Sequence, residues 1–231
     1  MSLKVESGTR ERPLPTTRKA RETRASILTA AARLFAEKGF ADCTLREIAT
    51  VANMKAGSVY YHFDSKDEIL DEVINTGIER LFENVTKALD LLAADAPVER
   101  RLREAVRAHI LSFLDVRGDA NTFLRIYEHL PPIMKRRSRA ARQRYATLWF
   151  ELIDAGVRSG EVDPALNLGI FVPYLIQGLN RIPEWFSPSR MTIDGVCAVI
   201  FSTTLKGIFI KADDDAALAA KSARSRNPAA N

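Results

Sequence analysis

The stretch TLREIATVANMKAGSVYYHFDSK, Thr44 to Lys66, brings together side chains that donate hydrogen bonds or carry positive charge. Ser58, Tyr60, Tyr61 and His62 crowd one short segment, with Lys55 before it and Lys66 after it. The set is short, aromatic and rich in hydrogen-bond donors. Lys66 falls in the first turn of a helix, where a cation opposes the helix dipole, so an external anion supplies the missing reason for it. Catalytic chemistry finds no comparable footing. There is no Walker phosphate loop, G-x-S-x-G elbow, H-E-x-x-H or Rossmann glycine pattern. His62, His109 and His129 have no metal-ligand spacing. No cofactor or metal is expected, and His109, four residues before Phe113, reads as a partly buried, hydrogen-bonded residue.

The elements that must hold these groups are short helices. Thr44 and Glu47 fit a capping box, and Leu45, Ile48, Ala49 and Ala52 follow at helical spacing. Asn53 stands where a left-handed residue ends that helix. In the next segment Val59 and Phe63 face inward at i and i+4, leaving Ser58, Tyr60, Tyr61 and His62 outside. Ser65 and Glu68 form a second capping box. The pattern is a helix-turn-helix; on spacing alone a helical hairpin with surface aromatics remains open.

Residues 24–70, RASILTAAARLFAEKGFADCTLREIATVANMKAGSVYYHFDSKDEIL, resemble the DNA-binding domain of the TetR family of bacterial repressors. The ILTAAARLFAEKGF opening, TLREIA, the GSVYYHF block and the SK-x-E-IL continuation occur in order. Two positions depart from the family pattern: Asn53 replaces the usual turn glycine, and Lys55 replaces the usual Ser or Thr cap of the recognition helix. The resemblance implies that Ala56, Gly57 and Ser58 meet base edges and that Arg46 reads a guanine. It implies that Thr44, Lys55, Tyr60, Tyr61, His62 and Lys66 hold phosphates. It also implies a homodimer, paired through the last helices as a four-helix bundle, and a cavity for a small-molecule effector.

The remainder of the chain is compatible with this. At 231 residues, with 46% hydrophobic and 27% charged, it has the composition of one or two globular domains. Two distant cysteines, Cys43 and Cys197, show no redox spacing and fit a reducing cytoplasm. Neither a signal core nor a membrane-length apolar run is present. Residues 1–24 hold seven Lys or Arg against three Glu, 7 − 3 = +4 of a total of +5. Such an arm follows phosphates or merely solubilises the terminus.

The periodicity predicts an all-α protein of about nine helices and no strand. The expected divisions are a basic arm over 1–17, the helix-turn-helix domain over 18–65, a ligand-binding and dimerisation domain over 66–212, and a frayed tail over 213–231. The first helix runs from Arg18 to Lys38 and the fourth from Lys66 to about Ala93. Asn121 to Leu130 forms a short segment, and 133–156 one long helix. Asp163-Pro164 opens the next, and the last spans about Met191 to Lys211. Leu168, Val172, Leu175, Ile176, Leu179, Val196, Val199, Ile200 and Leu205 make the last two long helices apolar on most sides, which suits pairing with a second copy.

Phe113, Phe123, Tyr127, Trp149, Asn180 and Trp185 are the candidate cavity residues, aromatics with a few polar tips. The run KRRSRAARQR, Lys135 to Arg144, reads either as a solvated helix face or as a holder of an anionic ligand. The segment Gly178-Leu179-Asn180 … Pro183-Glu184-Trp185-Phe186 resembles the family branch that senses acyl-CoA thioesters in lipid or sterol breakdown. The expected function is a homodimeric repressor that binds a palindromic DNA operator and is released by a small apolar or acyl-CoA-type effector. Alternatives are an activator or effector-independent regulator, and an all-helical interaction protein without operator binding, which Asn53 and Lys55 keep open.

Overall fold

The computed structural model describes residues 17–115, 123, 126–127, 130 and 132–208. Among them every regular element is helical and no strand occurs, and no helix is long and apolar enough to cross a membrane. The basic arm, most of the segment from Asn121 to Leu130 and the tail lie outside the described residues. The chain divides into two compact units, Met1–Val73 and Ile74–Asn231.

The first unit is built from α1 (Arg18–Lys38), α2 (Leu45–Val51), α3 (Ala56–His62) and the beginning of α4 (Lys66–Asp90). Thr17 caps α1 by accepting from the Ala20 N–H, and Gly39, at φ 86°, ends it. Ile27, Ala31, Leu34 and Phe35 of α1, Ile48 of α2, and Val59 and Phe63 are buried, as their spacing predicts. The Thr44–Glu47 capping box is complete: the Thr44 hydroxyl accepts from the Glu47 N–H at 3.2 Å, and the Glu47 carboxylate accepts from the Thr44 N–H at 2.8 Å. Each such cap contributes on the order of 1 kcal/mol. Asn53 has φ 54°. Around it Asn53 N–H donates to Thr50 and Met54 N–H to Ala49, the paired bonds of a Schellman ending. Asparagine therefore takes the place of glycine at this turn.

The second unit contains the remainder of α4, α5 (Val98–Leu114), α6 (Pro132–Arg137), α7 (Arg139–Ser159), α8 (Leu168–Asn180), α9 (Ile182–Trp185) and α10 (Ile193–Ile200). A π turn, Phe201–Leu205, and a 3-10 turn, Lys206–Ile208, follow. α5 is central and packs against α7, α8, α9 and α10. Four expectations are corrected. α4 ends at Asp90, short of Ala93. The helix predicted over 133–156 is broken at Ser138, whose hydroxyl donates to the Lys135 carbonyl, and it continues to Ser159. Asp163-Pro164 makes a turn, its carboxylate accepting from Ala165 N–H, and Asn167 caps α8 instead. The last helix starts at Ile193, capped by Thr192, and leaves α geometry after Ile200.

Candidate nucleic-acid interface and ligand cavity

In the first unit the predicted donors separate into two groups. Arg46, Lys55, Gly57, Tyr60 and Tyr61 are exposed, Tyr61 at 73%, while Thr44 is exposed at the start of α2 and Ala56 and Ser58 are half-buried. Arg46 makes no side-chain hydrogen bond or ion pair with any described residue. A Cβ added at Gly57 meets nothing within 4 Å, so internal packing does not demand a glycine there. Lys55 holds the N-cap position of α3 and makes no side-chain cap. In the first turn of α3 the Ser58 N–H donates to the Lys55 carbonyl at 2.9 Å, and no side chain caps the N–H groups of Ala56 and Gly57.

Two members of the predicted set turn elsewhere. His62 is buried rather than outside, since it follows buried Val59 by three residues on the same side of α3. Lys66 has a local reason after all. Its ammonium donates to the carbonyls of Phe40 at 2.6 Å, Ala41 at 3.1 Å and Cys43 at 2.7 Å, and lies 4.4 Å over the Phe40 ring. Three donors meet three acceptors, which removes the need for an external anion. Glu47 is held at about pKa 2, first by its bond with Lys38 and then by the hydroxyl and N–H of Thr44.

The second unit encloses a cavity of about 540 Å³, within the range of small-molecule sites. Ile78, Leu81, Phe113, Phe123 and Tyr145, all buried, form its apolar wall. Tyr127, Gln143, Gln177 and Asn180 add polar atoms, and Lys135, Arg139, Arg142 and Arg181 add four cations. No carboxylate lines it among the described residues. Arg142 donates to the Lys135 carbonyl at 3.1 Å, and both cations lie about 5 Å over the Tyr127 ring. The basic run is thus divided: Lys135, Arg139 and Arg142 face the cavity, whereas Arg144 pairs with Glu79 at 2.9 Å and covers Phe82.

Phe113, Phe123, Tyr127 and Asn180 line this cavity as expected; two tryptophans do not. Trp149 is fully buried behind the wall, edge-on to Tyr145 and His109. Trp185 is half exposed and borders a separate groove with Met191, Val196 and Val199. Trp149 packs with the buried face of α7, and Trp185 ends the short α9, so neither lines the cavity. Sequence reading missed Ile78 and Leu81 as cavity residues, although their stripe on α4 is plain; nothing in a stripe says which of its members meets empty space.

Behind the wall His109 is wholly buried, with Nδ1 2.7 Å from the Tyr145 hydroxyl and its ring 4.8 Å from that of Phe113. Burial lowers its pKa to about 3, against a smaller opposing pull from Asn180. Burial likewise pushes the Tyr145 phenol up. The buried wall is therefore uncharged at neutral pH, and among the described residues every charge lining the site belongs to Lys135 and the three arginines.

A family model for bacterial regulatory proteins of the tetR family matches residues 27–73, and one for the tetracyclin repressor-like C-terminal domain matches residues 95–208. The HTH-type transcriptional repressor KstR2 of Rhodococcus jostii (strain RHA1) is 28% identical over 190 residues, covering 80% of this chain and 90% of the relative. The uncharacterized HTH-type transcriptional regulator TtgW of Pseudomonas putida is 35% identical over 102 residues, 38% of this chain and 75% of the relative. The crystal structure of AibR in complex with isovaleryl coenzyme A and operator DNA shares the fold, with a TM-score of 0.66 at 20% identity, covering 79% of this chain and 98% of that one.

Proposed function

From the premise that the chain belongs to the TetR family of bacterial regulatory proteins, transcriptional regulators and not enzymes, we propose that it is a homodimeric repressor of a palindromic operator. Its effector is an amphiphile with an apolar body and an anionic head, of the acyl-CoA type. The observation that carries the effector class is the cavity of α4, α5, α7 and α8: an uncharged, largely apolar wall joined to four cations, with no acid among the described lining residues. Arg and Lys in such a cluster recognise phosphate or carboxylate, Arg by bidentate pairing. The relatives support the same reading, since KstR2 is a repressor by name and AibR has been crystallised with isovaleryl coenzyme A and operator DNA.

In this reading Arg46, Ala56, Gly57 and Ser58 face base edges, while Thr44, Lys55, Tyr60 and Tyr61 hold phosphates. Dimerisation uses the outer faces of α8 and α10, where Ile170 is 69% exposed, Tyr174 63% and Val199 60%. An exposed apolar patch of this kind calls for a partner surface, and a two-fold axis places two recognition helices on successive major-groove turns, about 34–36 Å apart. α4 links sensing to binding: Lys66 opens it, and Ile78 and Leu81, roughly 20 Å further along the same helix, line the cavity. The effector shifts the equilibrium only by its differential affinity for the two α4 positions.

The test is fluorescence anisotropy with duplex DNA from upstream of the protein's own gene against a scrambled duplex, at two salt concentrations and with added acyl-CoA. Tight, sequence-dependent binding that acyl-CoA releases is the expected result. Equal, weak binding to both duplexes refutes operator recognition. Release by a neutral apolar compound, with no effect of any acyl-CoA, refutes the anionic head.

A further inference from the structure

The geometry points to Arg24, on α1, as a positioning residue for operator recognition: it fixes the orientation of α3 without touching DNA. This rests on the reading of α3 as the DNA-facing helix. α3 has seven residues and no side-chain N-cap, and a helix of that length does not hold itself in water. Besides the burial of Val59, His62 and Phe63, a guanidinium holds its C-terminal end. Arg24 Nη1 donates to the His62 carbonyl at 2.7 Å, and the guanidinium carbon lies 4.0 Å over the Phe63 ring. On its other edge Nε donates to Glu72 at 2.8 Å, Nη2 pairs with the second Glu72 oxygen, and Glu68 stands 3.7 Å away. The Arg24 side chain is only 16% exposed. The planar fork thus joins α1, the end of α3 and the first turns of α4, and its donor edges face protein.

Lysine cannot reproduce this, because one ammonium replaces a fixed planar array. Glu68 is also committed, since its carboxylate accepts from the Asp64 N–H at 2.7 Å. Loss of the Arg24 fork therefore leaves the turn after α3 capped and Val59 and Phe63 buried, but removes the bond that sets the angle of the C-terminal end of α3. Exposed Lys55, Tyr60 and Tyr61 would still meet phosphates, but Ser58 and its neighbours would be misaligned with base edges.

The experiment compares the unaltered full chain with Arg24→Lys and Glu72→Gln. A duplex enriched from a random library by the unaltered protein and a shuffled duplex are the probes. Each variant should bind the enriched duplex about tenfold more weakly, the cost of roughly one mismatched base pair. Affinity for the shuffled duplex should stay within about twofold, with the salt slope unchanged. Amide exchange over Ser58–Phe63 should accelerate in both variants. If both affinities fall together and the salt slope shrinks, Arg24 is a phosphate contact and the proposal is wrong. Enriched-duplex affinity within about twofold of the unaltered protein also overturns it, as does unchanged exchange in α3. Should the unaltered protein enrich no sequence, operator recognition itself fails; the exchange measurement then still decides whether Arg24 holds α3. Arg24→Lys keeps the charge and serves as the milder variant if Glu72→Gln fails to fold.

Discussion

Lowering the pH should destabilise the protein through one buried ring, and the size of the effect can be worked out in advance. An unconstrained histidine titrates near 6.5, whereas burial lowers His109 to about 3. Between those values the unfolded chain takes up a proton that the folded chain refuses, so stability falls as pH drops through this window. At pH 4.5 the unfolded state has gained about two pH units of protonation free energy relative to pH 6.5, or about 3 kcal/mol at roughly 1.4 kcal/mol per unit. For a urea m-value of about 2 kcal/mol/M the midpoint should fall by roughly 1.5 M from this group alone. The assay is urea unfolding at pH 7 and pH 4.5 for the unaltered protein and for His109→Gln. The variant loses the Tyr145 bond and will be weaker at both pH values, so the comparison lies in the two pH-induced shifts. The unaltered protein's shift should exceed the variant's by about 1.5 M. Equal shifts would refute the claim that His109 is held neutral behind the cavity wall.

Lys66→Met should strand the carbonyls of Phe40, Ala41 and Cys43 and cost about 1–3 kcal/mol; a salt slope of DNA binding reduced by about one, with stability unchanged, would restore Lys66 as a phosphate contact. Arg46→Ala should relax base preference at one position per half-site by roughly 1–3 kcal/mol, read by library selection, and an unchanged enriched sequence would remove Arg46 from base reading. Tyr174→Glu, on the open face of α8, should turn a dimer into a monomer in sedimentation; an undisturbed mass places the interface elsewhere. Arg142→Ala should weaken an acyl-CoA by roughly 1.5–3 kcal/mol while sparing a neutral apolar ligand, as titration calorimetry would read.

Legibility follows the distance between partners. The Thr44–Glu47 cap, the turn at Asn53 and the inward Val59 and Phe63 depend on residues three to five apart, and their signals are complete within the motif. The local pattern misassigns Lys66 because its carbonyl partners lie 23 to 26 residues earlier in the chain. Arg24 is silent in the sequence for the same reason, its carboxylate being 48 residues away. In the second unit the family resemblance implies a ligand cavity, but the sequence does not say that Arg142 lines it while Trp149, seven residues further along the same helix, is buried away from it. At the break between α6 and α7 the Ser138 hydroxyl and the Arg142 guanidinium both bond the Lys135 carbonyl, an arrangement the amphipathic pattern does not record.

The π turn at Phe201–Leu205 sets a rule for chain length. A π turn holds one residue more than the α turn it replaces, and each residue of an α-helix advances it by about 100°. Phe201 and Leu205 are buried, Phe201 beneath the Arg103 guanidinium, and Ile208 offers its carbonyl to Asp163 N–H. Deleting one residue between 201 and 205 would give a more regular helix and yet rotate Ile208 about a quarter-turn away from its seat. In this segment local regularity and correct burial are alternatives. Substitution is therefore an easier route of change than insertion or deletion, which must come in steps close to a whole helical turn.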